Sequence, residues 1–228
     1  MRRQLEKILG LNTPLPSFLT TAETAEYLVQ KVLGSYLRGF LMRYRFKQCS
    51  GRLFIGRHCR LIFPRFISLG RDVYIGAYSI LNGLSKKGMK IGNHVRIHEY
   101  AWIQATSRLN EPGEGLEIGE DTYIGPHCYL GAGGGIKIGK NVLFGGYVQC
   151  LAENHRFQDV TRPIGEQGVS RRGIEIGDDV WIGNQAIILD GVHIGAGSVI
   201  GAGSIVTHDI PPKSVAAGNP AKVLHERR

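Results

Sequence analysis

The chain of 228 residues is 43% hydrophobic and 8% aromatic, ordinary values for one sizeable globular domain, with a formal charge of +9. No stretch approaches the roughly 18 to 20 apolar residues of a membrane span, and the N-terminus lacks the apolar core and cleavage site of a signal peptide. Four cysteines without C-x-x-C spacing read as reduced thiols in a cytoplasmic protein, not as a zinc site or disulfide framework. No nucleic-acid-binding signature accompanies the positive charge, so a polyanionic small ligand or an anionic membrane surface accounts for it in place of nucleic acid.

Residues 1–47 have their own pattern. A short helix is predicted over residues 2–9, ending at Gly10 before the Pro14/Pro16 loop. Thr20 with Glu23 three places on is a capping box. Ala25, Leu28, Val29, Val32, Leu33, Leu37, Phe40, Leu41 and Tyr44 then recur at helical spacing, and Lys31, Arg38, Arg43, Arg45 and Lys47 make the segment basic. Such a helix can lie on a membrane or pack its apolar face on its own domain or a neighbouring subunit. The packing reading is preferred.

From Leu53 the chain counts in sixes. Ile55, Leu61, Leu69, Ile75 and Leu81 begin the series with slips; Ile91, Ile97 and Ile103, then Ile118, Ile124 and Leu130, then Ile138, Phe144 and Cys150 continue it. Polar loops interrupt at residues 82–90 and 108–115. After His155 comes the longest break, 156–173. The series at 176, 182, 188, 194, 200 and 206 is strict, with Val180, Ala186, Val192, Ser198, Ser204 and Ile210 four places after each. Only a solenoid keeps one residue type in that register. Three hexapeptides form one triangular coil of short parallel strands, and the ends need caps, for which the N-terminal helix and the C-terminal tail are the candidates. Many of the 32 glycines follow the repeated aliphatic residue, as at Gly76 and Gly183. That placement predicts tight corners of unusual φ.

The segments IGKNVLFGGYVQCLAENHRF, IEIGDDVWIGNQAIILDGVHIGAGSVIGAGSIVTHDIPP and AAGNPAKV carry a resemblance. With the weaker upstream repeats, about three quarters of the chain resembles the hexapeptide-repeat acyltransferases, left-handed parallel β-helices. The subgroup contains the galactoside, maltose and xenobiotic acetyltransferases and the sugar O-acetyltransferases of surface-polysaccharide assembly. The expected architecture is mainly β: an N-terminal helical segment (1–47), a left-handed β-helix (48–210) with the insertion 156–173, and a C-terminal tail (211–228).

The resemblance implies an acetyl-CoA-dependent O-acetyltransferase with no metal, acting on a sugar or glycan. His155, at the end of a coil and the start of the break, matches the family's catalytic histidine, a general base for the acceptor hydroxyl. Glu153 and Asn154 are candidates to orient it or hold the sugar, with Asn154 assigned to a small inward position. Trp181 takes an outward corner and, by resemblance, lines the channel near the histidine; packing at a subunit interface is the alternative. Small residues in IGAGSVIGAGSI leave room for a pantetheine arm, and the resemblance assigns Asn184, Ala202 and Thr207 to that groove. Lys222 is assigned to the nucleotide phosphates, helped by Arg227 or Arg228. Galactoside enzymes carry an asparagine-bearing coil where this chain reads IGPHCYLG, leaving His127 and Tyr129 as alternative acceptor contacts. The N-terminal segment departs from the maltose and galactoside caps and leans towards the polysaccharide branch, whose acceptors are often lipid-linked. Family members are usually homotrimers with the site between subunits. Two rivals are a metalloenzyme using His94 and His98, which are four apart and do not stack in a count of sixes, and a noncatalytic scaffold.

Overall fold

A computed structural model describes residues 18–106 and 109–228, apart from the side chains of Thr21, Leu28, Gln30 and Lys31. The helix and loop expected over residues 2–16, and the first residue of the loop expected over 108–115, lie outside the described residues.

The capping box forms. The Thr20 amide donates to Glu23 Oε2 at 2.8 Å and the Glu23 amide donates to Thr20 Oγ1 at 3.2 Å, satisfying two amides that a helix start leaves unpaired. Helix α1 (Thr21–Tyr27) passes through a π-helical stretch, Leu28–Leu33, into α2 (Gly34–Met42) and a 3-10 turn, Arg43–Arg45. Its orientation overturns the expectation that the apolar face packs on the chain's own solenoid. Ser35 and Gly39 face the first coil, and a Cβ on Gly39 would lie 1.8 Å from the Leu53 carbonyl oxygen. Only small residues permit that approach, so the bulky ones turn away: Leu33, Leu37, Phe40, Leu41 and Tyr44 are between 48% and 80% exposed. Arg38 reaches inward instead, its Nε donating to the Ile55 carbonyl at 2.8 Å. It thereby fills an acceptor on the open edge of the first coil.

Seven coils follow, each giving one strand to each of three parallel faces of a left-handed β-helix. The first face runs from Gln48–Cys49 to His193–Ile194, the second from Leu53–Ile55 to Val199–Ile200 and the third from Arg60–Ile62 to Ile205–Val206. Strands pair in register, so Ile55, Ile75 and Ile97 stack, as do Ile124 over Ile97 and Phe144 beside Ile182. All six aliphatic positions of the strict series, and the six residues four places on, are buried. The loop expected over residues 82–90 is shorter, because Met89–Ile91 is already a strand with Met89 and Ile91 inward.

The glycines after the aliphatic residues have a different purpose from the one predicted. Neither Gly76 nor Gly183 has a positive φ. A Cβ on Gly76 would lie 2.4 Å from the Glu99 amide nitrogen, and one on Gly183 would lie 2.5 Å from that of Ala202. Close stacking of coils, not backbone freedom, selects them. The left-handed corners between the second and third faces are taken by His58, Tyr78, Tyr100, His127, Tyr147 and Gln185, with φ between 58° and 62°. The first five form a ladder with ring centroids 4.6 to 5.1 Å apart. Ring stacking of about 1 kcal/mol per pair offsets the roughly 1–2 kcal/mol that a left-handed residue costs. At the C-terminal end, the strand Ser214–Gly218 continues the second face and turns back antiparallel through Ala221–Glu226.

Candidate active site

The third face presents a column of outward side chains that includes Asn82, Gln104, Gly131, Leu151 and Leu189. Gly131 interrupts it. The missing side chain leaves a recess of about 110 Å³ lined by Gln104, Thr106, Tyr129, Gly133, Leu151 and Glu153, among others. Gln104 is fixed from both sides, since Trp102 Nε1 donates to its Oε1 at 3.2 Å and its Nε2 donates to the Tyr129 hydroxyl at 3.0 Å. A Cβ on Gly133 would lie 2.6 Å from Glu153 Oε2, so glycine there leaves the carboxylate its place. Tyr129 therefore stands in this recess. His127, the other alternative acceptor contact, stacks between Tyr100 and Tyr147 in the corner ladder.

At Glu153 the chain leaves the solenoid. Asn154 does not take the inward position that the count of sixes assigns to it. The coil ends at Ala152, buried like Ala132 and Ala105, and Asn154 and His155 pair antiparallel with Ser170 and Val169. Both are exposed. The path turns outward two residues before the next inward site would be filled, and that turn aims His155 away from the core. Asn154, His155, Arg156, Phe157, Gln158, Ser170 and Arg172 line one open groove.

Two contacts pin the base of this arm. Arg171 Nε donates to Glu153 Oε2 at 2.6 Å, with the two side chains 23% and 29% exposed. Asp190, whose side chain is wholly buried, accepts the Arg172 amide at 2.9 Å and the Gly173 amide at 2.8 Å on Oδ1. A buried carboxylate is tolerated because amides satisfy it. Arg171, Arg172 and Asp190 escaped the sequence reading. A signal existed for Asp190, since it follows Leu189 in register with Leu151, and so stands where the neighbouring coil buries Ala152. Further out, Gln167 ties the arm together by donating to the Asp159 and Arg162 carbonyls at 2.8 and 2.9 Å. Phe157, Val160 and Ile164 are 64%, 95% and 55% exposed.

The other predicted residues spread over the last coils. Trp181 points outward on the second face beside Leu143, at 56% and 52% exposure, and does not border the His155 groove within one chain. Asn184 and Ala202 sit on successive corners where the ladder gives way to Gln185 and Gly203; Asn184 Oδ1 accepts the Gly146 amide at 2.9 Å. Lys222 is exposed in the terminal hairpin, paired with Ala217, which packs against Gly201. Thr207 follows the last strand of the third face, on the side where Asp190 follows Leu189, and its Oγ1 lies 2.8 Å from His208 Nδ1. The structure thus places Asn184 and Ala202 at the corners that precede the last strands of the third face, and Thr207 beyond the opposite end of the last strand, Ile205–Val206. Arg227 is engaged elsewhere, donating to Asp179 Oδ2 at 2.9 Å and the Gly197 carbonyl at 3.0 Å. His94 lies 3.0 Å from Asp121 and 3.9 Å from Asp72, and His98 lies 3.3 Å from Glu99; among the described residues no group of three or more His, Cys, Asp or Glu side chains has an arrangement that could hold a metal ion. Burial pushes the Cys128 thiol up to about 11 and raises that of Cys150 further, so neither is a nucleophile at neutral pH.

A stack of hexapeptide coils whose longest break is a pinned arm that begins at an exposed histidine has the architecture of the hexapeptide-repeat acyltransferases. The comparisons agree: the bacterial transferase hexapeptide model (six repeats) matches residues 173–208, so the last coils carry the repeats of that family. A Mycobacterium tuberculosis protein named "Probable acetyltransferase" is 32% identical over 92% of this chain and 64% of its own length. The galactoside O-acetyltransferase of Escherichia coli K12 is 38% identical over 57% of this chain and 63% of its own. The matches therefore span less than two thirds of these relatives. An N-acyltransferase from Bacillus cereus, solved with dTDP-4-amino-4,6-dideoxyglucose and coenzyme A, superposes with a TM-score of 0.56 at 21% identity, over 84% of this chain and 89% of that one. At that identity the likeness establishes the fold.

Proposed function

We propose that the protein is an acetyl-CoA-dependent O-acetyltransferase that acetylates a sugar hydroxyl, with His155 as general base. The observation that carries this is the position of His155. It stands at the root of the pinned arm, two residues beyond Glu153, which itself borders a recess of sugar-recognising character. An exposed Trp102 edge-on to Tyr129, with Gln104, Glu153 and Arg171 close by, supplies an aromatic platform and planar hydrogen-bonding groups for a ring bearing hydroxyls. The names of the relatives, one of them a galactoside O-acetyltransferase, point the same way.

In the proposed reaction the neutral imidazole takes the proton of the acceptor hydroxyl as its oxygen attacks the thioester carbonyl carbon. The tetrahedral adduct expels the coenzyme A thiolate, which collects that proton from the imidazolium. Acetyl-CoA would lie along the last coils, its pantetheine over Asn184, Ala202 and Thr207, where Gln185 and Gly203 replace the rings of the corner ladder, and its phosphates near Lys222. Trp181 would border the channel from a neighbouring subunit of a homotrimer, because the His155 groove does not include it within one chain. Such an enzyme works where acetyl-CoA is made, in the cytoplasm, and a glycan of surface-polysaccharide assembly is the proposed acceptor.

His155→Ala is expected to lower acetyl transfer by about 10²- to 10⁴-fold, as loss of a general base does, while coenzyme A binding by calorimetry and the circular dichroism spectrum stay unchanged. Transfer at the parent rate would exclude the mechanism. A screen against free sugars, nucleotide sugars and lipid-linked oligosaccharides identifies the acceptor.

A further inference from the structure

The charge of this protein is not spread over it. Residues 32–71 contain nine Lys and Arg and no Asp or Glu, which equals the whole formal excess of +9. The rest of the chain balances, with 19 cations against 19 carboxylates. That segment is α2, the turn after it and the first coils, so the excess sits at one end of the solenoid. Arg45, Lys47, Arg57, Arg60, Arg65 and Arg71 are exposed there. Among the described residues, Arg52 is held by the carboxylate of Asp72.

The same end carries the outward face of the helix. Leu33, Leu37, Phe40, Leu41 and Tyr44 form one stripe at helical spacing, while Ser35 and Gly39 hold the helix to the first coil. A buried small-residue face and an exposed bulky one invert the usual arrangement of a surface helix. Tyr36 and Tyr44 add rings that suit the level of lipid headgroups. An apolar stripe bordered by exposed cations matches the interior edge and the anionic surface of a lipid leaflet together. A second copy of the same end would instead bring nine cations against nine.

We propose that the N-terminal end of the solenoid is a membrane-docking surface, in which α2 lies in the interface of an anionic bilayer with Leu37, Phe40, Leu41 and Tyr44 inserted and the surrounding arginines and lysines on the headgroups. Docking there leaves the arm and the last coils facing away from the bilayer. It requires no acyl transfer, so its failure would leave the reading of the His155 site standing.

Co-sedimentation of the full chain with phosphatidylcholine vesicles, with and without phosphatidylglycerol, tests it. Binding to the anionic vesicles is expected to exceed that to neutral ones by about tenfold or more and to fade at high salt. Leu37→Glu/Phe40→Glu and, separately, Arg45→Glu/Lys47→Glu should each weaken it by about tenfold or more, with coenzyme A binding and circular dichroism unchanged. No binding to anionic vesicles, or binding that both double variants retain, overturns the proposal. So does a Leu37→Glu/Phe40→Glu variant that loses oligomer mass in sedimentation velocity, because the stripe would then cover another subunit.

Discussion

Glu153 illustrates how one residue serves two neighbours. Its carboxylate borders the recess at Gly131 and receives Arg171 at 2.6 Å, so the same group shapes the proposed sugar site and ties down the arm that presents His155. The pair is three-quarters buried, which makes it worth more than an exposed ion pair, yet its fold contribution should stay near 1 kcal/mol. Arg171→Ala is therefore expected to reduce kcat/KM by about tenfold, chiefly through the acceptor KM, while the unfolding midpoint falls by only a few degrees. Arg171→Lys should recover part of that loss. Steady-state kinetics with the melting curve of each variant separates positioning from collapse. The sequence singled out Glu153 but not its partner, because a contact across eighteen residues of irregular arm has no period to reveal it. Asn154 shows the opposite failure: counting sixes placed it inward, whereas the chain had already left the coil. Cys128 offers a pH test at this scale. Its folded thiol titrates at about 11 against an ordinary value near 9, so the folded state holds the proton that the unfolded state loses between those values. Its contribution to stability is therefore complete below about pH 9 and is lost towards pH 11, by up to roughly 2–3 kcal/mol. Cys128→Ala should make the alkaline decline between about pH 9 and 11 shallower in urea titrations by that amount.

Among the elements, strands were far more legible than their interruptions. A hexapeptide period is strict because each inward residue must stack on its predecessor, and Ile182, Ile188, Ile194 and Ile200 are buried as counted. The helix was legible in extent and start but not in orientation. Periodicity finds an apolar stripe without saying what it faces; the informative signal was Ser35 and Gly39, small residues four apart, which mark a face of close approach. Gly39→Val should accordingly lift α2 from the first coil. The added atoms have no room beside the Leu53 carbonyl, so a loss on the order of 1–3 kcal/mol is expected, with early amide exchange in residues 34–46 as the readout. The arm depends on a different support. Asp190→Ala removes the acceptor for one buried and one part-buried amide and should cost roughly 2–4 kcal/mol. Hydrogen exchange should report the loosening first at Arg172 and Gly173.

At the scale of the molecule, the faces left bare within one chain lie where the proposed site is incomplete. Leu143 and Trp181 stand in register on the second face at about half exposure, and Phe157, Val160 and Ile164 project from the arm. Exposed large apolar groups that cluster in this way mark contacts, and a homotrimer would bring the second face of one subunit towards the arm of the next. The two sets make separable demands. If the faces of neighbouring coils hold the subunits together, Leu143→Glu/Trp181→Glu should shift the mass in sedimentation equilibrium from about 75 kDa, three times 25.1 kDa, towards a single chain, and abolish transfer with it. If the arm supplies only the acceptor side of the cleft, replacing Phe157, Val160 and Ile164 by Ser should leave the mass intact and raise the acceptor KM by about tenfold. Mixing His155→Ala subunits with Leu151→Arg subunits, which block the recess but keep the histidine, then asks whether a site is shared. Recovered activity in the mixture requires that His155 of one subunit work against the recess of another; no recovery places both on the same chain, with the neighbour contributing Trp181.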